Sequence, residues 1–378
     1  MRPRRRSPSG SRRFARFSTP DMNATPCRSS LQSAATLIVM LASALSIAAS
    51  SVAETPAMMT AVRFHDYGDA SQLRLEQVPR PVPKDGQVRV RVRAASVNPY
   101  DWKFREGRLR AYVPAKLPFT PGIDFSGVVD SVGAGVTAWR QGDEVYGFVG
   151  SDAAGPYAQY AIAEPANLAR KPPKMSFEEV AAIPVAALTA WKAMFDLGGL
   201  DPATAKGKRV LINGASGSVG LAAIQIAKRA GMHVTAAASA RNQALMRGLG
   251  ADVTIDYRAQ KVETTVKPPV DLALDAVDVA TAAASAQVVK KGGVLIAMNV
   301  TPKPPEVPAC TGQAGGLRCQ QLPNFRPAVG TFEKVARLVS DGRLRMTVGV
   351  VLPLAEAAKA QALSQQGGTP GKIILKVD

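Results

Sequence analysis

Residues 208–220, KRVLINGASGSVG, decide the fold. Arg209 to Asn213 is a short, mostly aliphatic run of the kind a buried strand requires. It meets Gly214-Ala215-Ser216-Gly217-Ser218-Val219-Gly220 with no spacer, and that turn feeds directly into VGLAAIQIAKRAG. There Val219, Ala222, Ala223, Ile226, Ala227 and Ala230 recur at helical spacing, which marks one face laid on a sheet. A bare Gly-x-x-Gly-x-x-Gly specifies little on its own. Between a buried strand and an amphipathic helix it predicts the opening unit of a doubly wound parallel sheet. Gly214 and Gly217 allow a tight turn and close backbone approach, and Gly220 allows close packing of helix on sheet. The helix start presents unpaired N–H groups and a positive dipole end, so the turn predicts a seat for a dinucleotide's pyrophosphate. A glycine-rich turn without a ligand is the alternative.

Outward from this unit, Ala-rich helical periodicity alternates with short apolar runs after Ser176, the pattern of a parallel sheet covered on both faces. Strands are predicted at 209–213, 233–238, 253–256, 272–276 and 294–298. Helices are predicted at 177–182, 187–195, 219–230, 241–249, 280–289 and 331–340. Between Thr60 and Ala166 the texture differs: AVRFHDYG, LRLEQVP, QVRVRVRAASV, FSGVVDSVG, DEVYGFV and AQYAIA are strand-like and separated by Gly-, Pro- and Asp-rich turns. This predicts an irregular antiparallel barrel. Past Pro304 the chain is Pro- and Gly-rich and ends in two strand-like runs, MTVGVVLPL and GKIILKV. The fold class is therefore α/β, with the boundaries 1–57 (leader), 58–178 (barrel), 179–303 (nucleotide domain) and 304–378 (return to the barrel).

Where NAD-selective domains end their second strand in an acidic residue that binds both ribose hydroxyls, this chain reads AAASARN at 236–242. A 2′-phosphate meets no repulsion there, and Ser239 and Arg241 offer it charge-assisted hydrogen bonds. NADPH is the expected cofactor; the alternative is that Arg241 only opens a solvated helix.

The chain carries 47 Lys and Arg against 29 Asp and Glu, a formal net charge of +18. Residues 1–57 hold +6 of this, and the rest is spread without a dense run, as on a solvated basic surface and unlike a nucleic-acid groove. His65, His233, Cys27, Cys310 and Cys319 are the whole His and Cys inventory. That rules out a four-thiolate lobe and argues against a Cys/His catalytic zinc, so metal-free chemistry is expected. With so few His, and none in a nucleophile motif, a Ser-His-Asp hydrolase is excluded too. Residues 31–49, LQSAATLIVMLASALSIAA, followed by Ser51-Val52-Ala53, read as an export signal cleaved after Ala53. Two alternatives stand: an uncleaved anchor, or a cytoplasmic enzyme whose true start is near Met58. Ser11-Arg12-Arg13-Phe14 resembles a twin-arginine motif, beside the plainer reading of a disordered or untranslated leader. In an oxidising compartment Cys310 and Cys319 form a loop disulfide; in the cytosol they are two thiols.

Seven stretches in order, SVNPYDWKFREG, LPFTPGIDFSGVVDSVGAGVTAWRQGDEVYGF, AAIPVAALTAW, NGASGSVG, GADVTIDY, KKGGVLIAM and GKIILKV, make residues 59–378 resemble the medium-chain dehydrogenase/reductase superfamily. The match lies with its zinc-free, zeta-crystallin-like quinone-oxidoreductase branch. The resemblance implies a GroES-like barrel closed by the C-terminal segment, a Rossmann domain inserted within it, and an active site in the cleft. Zinc-bearing relatives place Cys at the position of Asn98 and His-Glu at Ile123-Asp124. Their cysteine lobe follows Gly147, where this chain has only FVGSDAAGPYAQY. Carried over, the resemblance puts Asn98 and Thr189 near the nicotinamide and Tyr257 near the adenosine phosphate. Met298 and Asn299 pass beneath the nicotinamide ring, and Lys372 borders the cofactor. It also implies a homodimer through the edge of the nucleotide sheet. Local alternatives are that Asn98 ties down the turn before Pro99, Thr189 back-bonds within its helix, and Asp101 caps a helix starting at Trp102. Trp102 and Trp191 read as core.

Deprotonating a plain alcohol draws on zinc, whereas delivering hydride to an already electrophilic acceptor does not. The expected substrate is a quinone or an α,β-unsaturated carbonyl. Its proton comes from water, Lys103, Tyr100 or Tyr112, and its pocket is walled by the loops at 105–116 and 301–327. An NADPH-binding protein with little turnover, serving in redox sensing or interaction, is the alternative from another class.

Overall fold

The structure is a computed structural model and describes residues 57–111, 113, 116–150, 153–298, 318–321 and 327–377. The expected leader lies outside these, apart from residue 57. β1 (Met58–Arg63) and β2 (Arg74–Pro79) form an antiparallel ribbon. In β3 (Val88–Ser96) Val88, Val90 and Val92 are buried and the arginines between them are not, as the alternation predicted. The chain then turns into α1 (Pro99–Arg105). This helix starts three residues before Trp102 because Pro99 supplies a pre-set φ at its first position and Asn98 and Asp101 form a capping box. β4 (Asp124–Val132), β5 (Glu144–Phe148), β6 (Tyr160–Ala163) and β7 (Leu168–Arg170) complete the first part of the barrel, with β3 paired to both β4 and β6.

α2 (Phe177–Ala181) is capped by Ser176 and Glu179. α3 (Pro184–Trp191) runs into a π-helical turn, Lys192–Leu197, and begins earlier than the predicted 187. Seven of its eight residues are buried, so no polar stripe marked its start. Next come β8 (Arg209–Asn213), α4 (Ser218–Arg229), β9 (His233–Ala238), α5 (Gln243–Gly248), β10 (Val253–Asp256), α6 (Val262–Thr265), β11 (Val270–Asp275), α7 (Val279–Ala286), β12 (Val289–Ala297) and β13 (Arg318–Gln321). These strands form one parallel sheet in the order β10-β9-β8-β11-β12-β13. The strand order reverses between β8 and β11, which opens a crevice at their carboxyl ends. β12 starts five residues before the predicted 294, since Val289 already pairs with Val270; the register shifts after it, and Lys290 to Gly292 are exposed. β13 falls where a loop was expected and pairs only with β12. Its Cys319 is disulfide-bonded; Cys310 lies outside the described residues.

α8 (Thr331–Ser340) matches its prediction residue for residue. β14 (Val348–Pro353), α9 (Ala357–Gln366) and β15 (Lys372–Lys376) return the chain to the barrel, where β15 pairs antiparallel with β3, Ile374 opposite Ser96. α9 was not predicted, because AAKAQALSQQ has too little apolar contrast to declare a helix. One apolar core joins α2, α3, α4 and α8 to both sheets, a second fills the barrel, and a third covers the other face of the parallel sheet. This continuity sets the barrel's inner edge against the parallel sheet's crevice.

Candidate functional site

Gly214 leaves β8 with φ +74, where a side chain is strained, and a Cβ there would also press on Val277 at 3.1 Å. Gly217 precedes α4 with extended backbone, and its Cβ would meet only the Gly214 carbonyl, at 3.3 Å; the space before the helix is open. A Cβ on Gly220 would lie 2.6 Å from the Cα and carbonyl oxygen of Ala215. Gly220 therefore lets the helix rest on the turn's own backbone, a correction to the expected helix-on-sheet contact. Ser216, Ser218 and Val219 are half-buried around this opening and Ala215 is buried beneath it. The unpaired N–H groups of the first helical turn and the open space at Gly217 fit a diphosphate.

Asp275, which ends β11, was missed at the sequence level. It accepts from Asn213 Nδ2 at 2.9 Å, Ser285 Oγ at 2.8 Å, Thr281 Oγ1 at 2.9 Å and the Val277 N–H at 3.1 Å. Its carbonyl takes the Met298 N–H at 2.7 Å. It ties together the ends of β8, β11 and β12 around the crevice; a carboxylate ending the apolar strand VDLALD was the available signal. Beyond β9, Ser239 is buried and accepts from Asn242 Nδ2 at 3.2 Å. Arg241 is not left in solvent: its guanidinium donates to the Gly368 carbonyl at 3.0 Å, in the turn before β15. Tyr257, beyond β10, is exposed.

The barrel side of the site is a buried polar network. Lys372 is 2% exposed, and its ammonium donates to Asn98 Oδ1 and to the Val97 carbonyl at 3.3 Å, with Asp124 Oδ2 3.6 Å away. Its ammonium is thus turned toward Asn98 and Asp124. Asp124 also accepts from Ser96 Oγ at 2.8 Å, Asn98 Nδ2 at 3.1 Å and, through its other oxygen, the Val185 N–H at 2.9 Å. That last bond seats a carboxylate at the start of α3, one helical turn before the buried Thr189. Burial pushes the Asp124 carboxyl up and the Lys372 ammonium down, and each opposes the other's shift by its charge. Asp101 accepts from the Asn98 N–H at 2.8 Å and from the Tyr157 hydroxyl at 2.9 Å. Its carboxyl is pushed up to about 7 by burial, against these hydrogen bonds. Burial, then the Asp101 charge, holds the Tyr157 phenol well above its usual range, so it remains a donor.

The structure brings Asn98 and Lys372 together, and Asp124 ties them to the first turn of α3, the helix that carries Thr189. Lys103 and Tyr100 make ring contacts on α1. The Lys103 ammonium lies over the Trp102 ring, 5.4 Å from its centroid, with the Arg108 guanidinium over the same ring. Burial, then the Arg108 charge, lowers its pKa. Tyr100 stacks on Phe104 with ring centroids 5.7 Å apart. Trp191 is buried edge-to-face against Phe195, as a core residue. Tyr112 and Asn299 lie outside the described residues, as do most of the expected pocket walls. A groove of about 660 Å³ lies elsewhere on the barrel, among Pro79, Pro81, Phe119, Ala153 and Tyr160. None of the site residues line it.

Against known proteins, residues 84–173 match the family model described as "Alcohol dehydrogenase GroES-like domain", and residues 249–375 match "Zinc-binding dehydrogenase". The chain is 33% identical to the chloroplast envelope quinone oxidoreductase homolog of Arabidopsis thaliana, covering 84% of this chain and 98% of that protein. It is 36% identical to the NADPH-dependent alkenal/one oxidoreductase of the same plant, over 67% of this chain and 66% of that protein. The solved structure of the quinone oxidoreductase from Coxiella burnetii aligns with TM-score 0.74 and 31% identity, over 85% of this chain and 100% of that one. The zinc implied by the second family model meets a donor set it does not fit. Asn98 and Asp124 offer one amide oxygen and one carboxylate, both already engaged by an ammonium, and no cluster of three His, Cys, Asp or Glu exists among the described residues.

Proposed function

The chain belongs to the medium-chain dehydrogenase/reductase superfamily and to its quinone-oxidoreductase branch, and from that premise we propose that it transfers hydride from NADPH, without zinc, to a quinone or an α,β-unsaturated carbonyl. The observation that carries the reading is the Lys372 ammonium engaged with Asn98 and Asp124. With those oxygens taken, no metal-binding cluster that would acidify a plain alcohol exists among the described residues, whereas an electrophilic acceptor needs only alignment, donors to its oxygen and a proton. NADPH, when bound, supplies the hydride.

The residues that would hold it are those at the crevice. Ser218, Val219 and Gly220, in the first turn of α4, offer backbone N–H groups to the diphosphate. Ser239 and Arg241 take the 2′-phosphate; a guanidinium has five N–H donors, and Arg241 gives one to Gly368. Tyr257 serves the adenosine end, and Asn98, Thr189 and Met298 the nicotinamide end, to which the resemblance also assigns Asn299. Among the candidate proton donors Lys103, Tyr100, Tyr112 and water, burial and then the Arg108 charge weaken the hold of Lys103 on its proton. A homodimer is what the family resemblance supports, and the scattered basic charge favours a small-molecule substrate over nucleic acid. The texture of the sequence supports domain divisions at 178 and 303, and either export with cleavage after Ala53 or a cytoplasmic enzyme starting near Met58.

Anaerobic stopped-flow mixing of the NADPH complex with a panel of quinones, enones and simple ketones tests the reading. Oxidation of NADPH by quinones or enones, with simple ketones inert and NADP+ not reduced by simple alcohols, is expected; activity confined to simple ketones, or to NADP+ reduction by simple alcohols, overturns it. Tight NADPH binding with no transfer to any acceptor would identify a binding protein instead.

A further inference from the structure

We infer that Lys372 and Asp124 are positioning residues whose opposite charges fix the orientation of the Asn98 carboxamide, the ammonium serving as the site's built-in cation. The inference rests on the reading above in one respect, that Asn98 serves the nicotinamide side.

The geometry carries it in three steps. First, an ammonium has three N–H donors and no acceptor, and the one on Lys372 faces three oxygens: the Val97 carbonyl, Asn98 Oδ1 and Asp124 Oδ2. A buried charge with that shell is satisfied, and removing it leaves the buried Asp124 carboxylate with only the neutral donors of Ser96, Asn98 and Val185 and no opposite charge. Second, the two ends of the Asn98 amide are sorted by charge. Oδ1 lies on the ammonium, which can only donate, and Nδ2 lies on the Asp124 carboxylate, which can only accept. The flipped amide would set N–H against N–H and oxygen against oxygen, so one orientation alone is favoured. Nδ2 carries a second hydrogen beyond the one given to Asp124. Third, the network is rigid on every side. The Asn98 backbone N–H is held by Asp101, and Asp124 is pinned by Ser96 and by the first turn of α3. Asp124 thereby locks Asn98 to the helix that carries Thr189.

A double-mutant cycle with a spectroscopic readout tests this. Lys372→Met, Asn98→Ala and the double variant are compared for kcat, KM for a quinone, NADPH affinity and thermal midpoint. The side-chain amide resonances of Asn98 are followed in ¹⁵N-labelled protein. Each single variant should lower kcat by roughly 10²-fold, the loss typical of a displaced positioning group, while NADPH affinity changes by less than about 3-fold. The double variant should be no slower than Asn98→Ala. Lys372→Arg, which keeps a cation, should recover part of the rate. In Lys372→Met the Asn98 amide pair should shift and broaden. Additive losses in kcat, or unchanged Asn98 resonances, overturn the inference. So does a stoichiometric zinc in the purified protein whose chelation shifts those resonances. If Lys372→Met does not fold, Asp124→Asn enters the same cycle with the same expected outcomes. Should wild-type protein oxidise no NADPH with any acceptor, the functional reading fails, and the resonances still decide the positioning role.

Discussion

The two halves of the site are built in opposite ways. The glycine turn after β8 is local: seven consecutive residues make an open, partly exposed cradle from backbone alone. The network across the cleft is assembled from β3, the start of α1, β4, α3 and β15, is buried, and is centred on charged and amide side chains that also hold backbone groups of Val97, Asn98 and Val185; Asn98 and its lysine partner stand 274 residues apart. A backbone cradle tolerates side-chain change wherever there is room and fails only where two backbones touch. A buried charge network fails when any one member is removed, because the others are left unpaired.

The largest contrast should come from Asp124→Ala. It leaves the Lys372 ammonium uncompensated and should cost about 3–5 kcal/mol of stability in urea unfolding. Next is the pH dependence of Asp101. Its folded-state pKa, about 7, lies above the ordinary carboxylate value of 3.8, so its contribution is fully present at low pH. It declines as pH rises from about 4 to about 7 and is flat beyond. Relative to Asp101→Asn, wild-type stability should fall by a few kcal/mol, on the order of 4 at most, across that window. Stability curves of the two proteins at stepped pH check this, and parallel curves would remove Asp101 from the account.

Within the cradle, Gly220→Ala drives a Cβ into the Ala215 backbone and should destabilise by about 1–3 kcal/mol. Arg241→Ser should weaken NADPH binding by roughly 10- to 100-fold, the worth of a charge-assisted hydrogen bond, and leave NADH binding nearly unchanged. Fluorescence titration with both cofactors reads the difference, and equal losses would move the 2′-phosphate elsewhere. Smallest in stability is Gly217→Ala, where the space is open. It should shift unfolding by no more than about 1 kcal/mol, yet weaken the dinucleotide by crowding its approach.

The same contrast explains what could be read before the structure. β8, β9, β10 and α8 match their predicted spans because each carries its own period and stop signals. α3 was mis-started for want of a polar face, and α9 and β13 were missed because AAKAQALSQQ and RCQQ declare no period. The glycine turn was legible as a site because its chemistry is contiguous. Lys372 was named from the resemblance without its partners, since nothing local to GKIIL encodes that Asp124 and Asn98 face it. Asp275 was missed for the same reason: its partners Asn213 and Ser285 stand 62 and 10 residues away.

The central claim is hydride transfer from NADPH to an electrophilic acceptor in a site whose fixed cation is a lysine. Its most direct test is a single-turnover measurement on protein passed through a strong chelator, with NADPH bound and a quinone as acceptor. The account predicts that the treated and untreated proteins oxidise NADPH at the same rate and that added zinc changes nothing. A rate abolished by chelation and restored by zinc would contradict it.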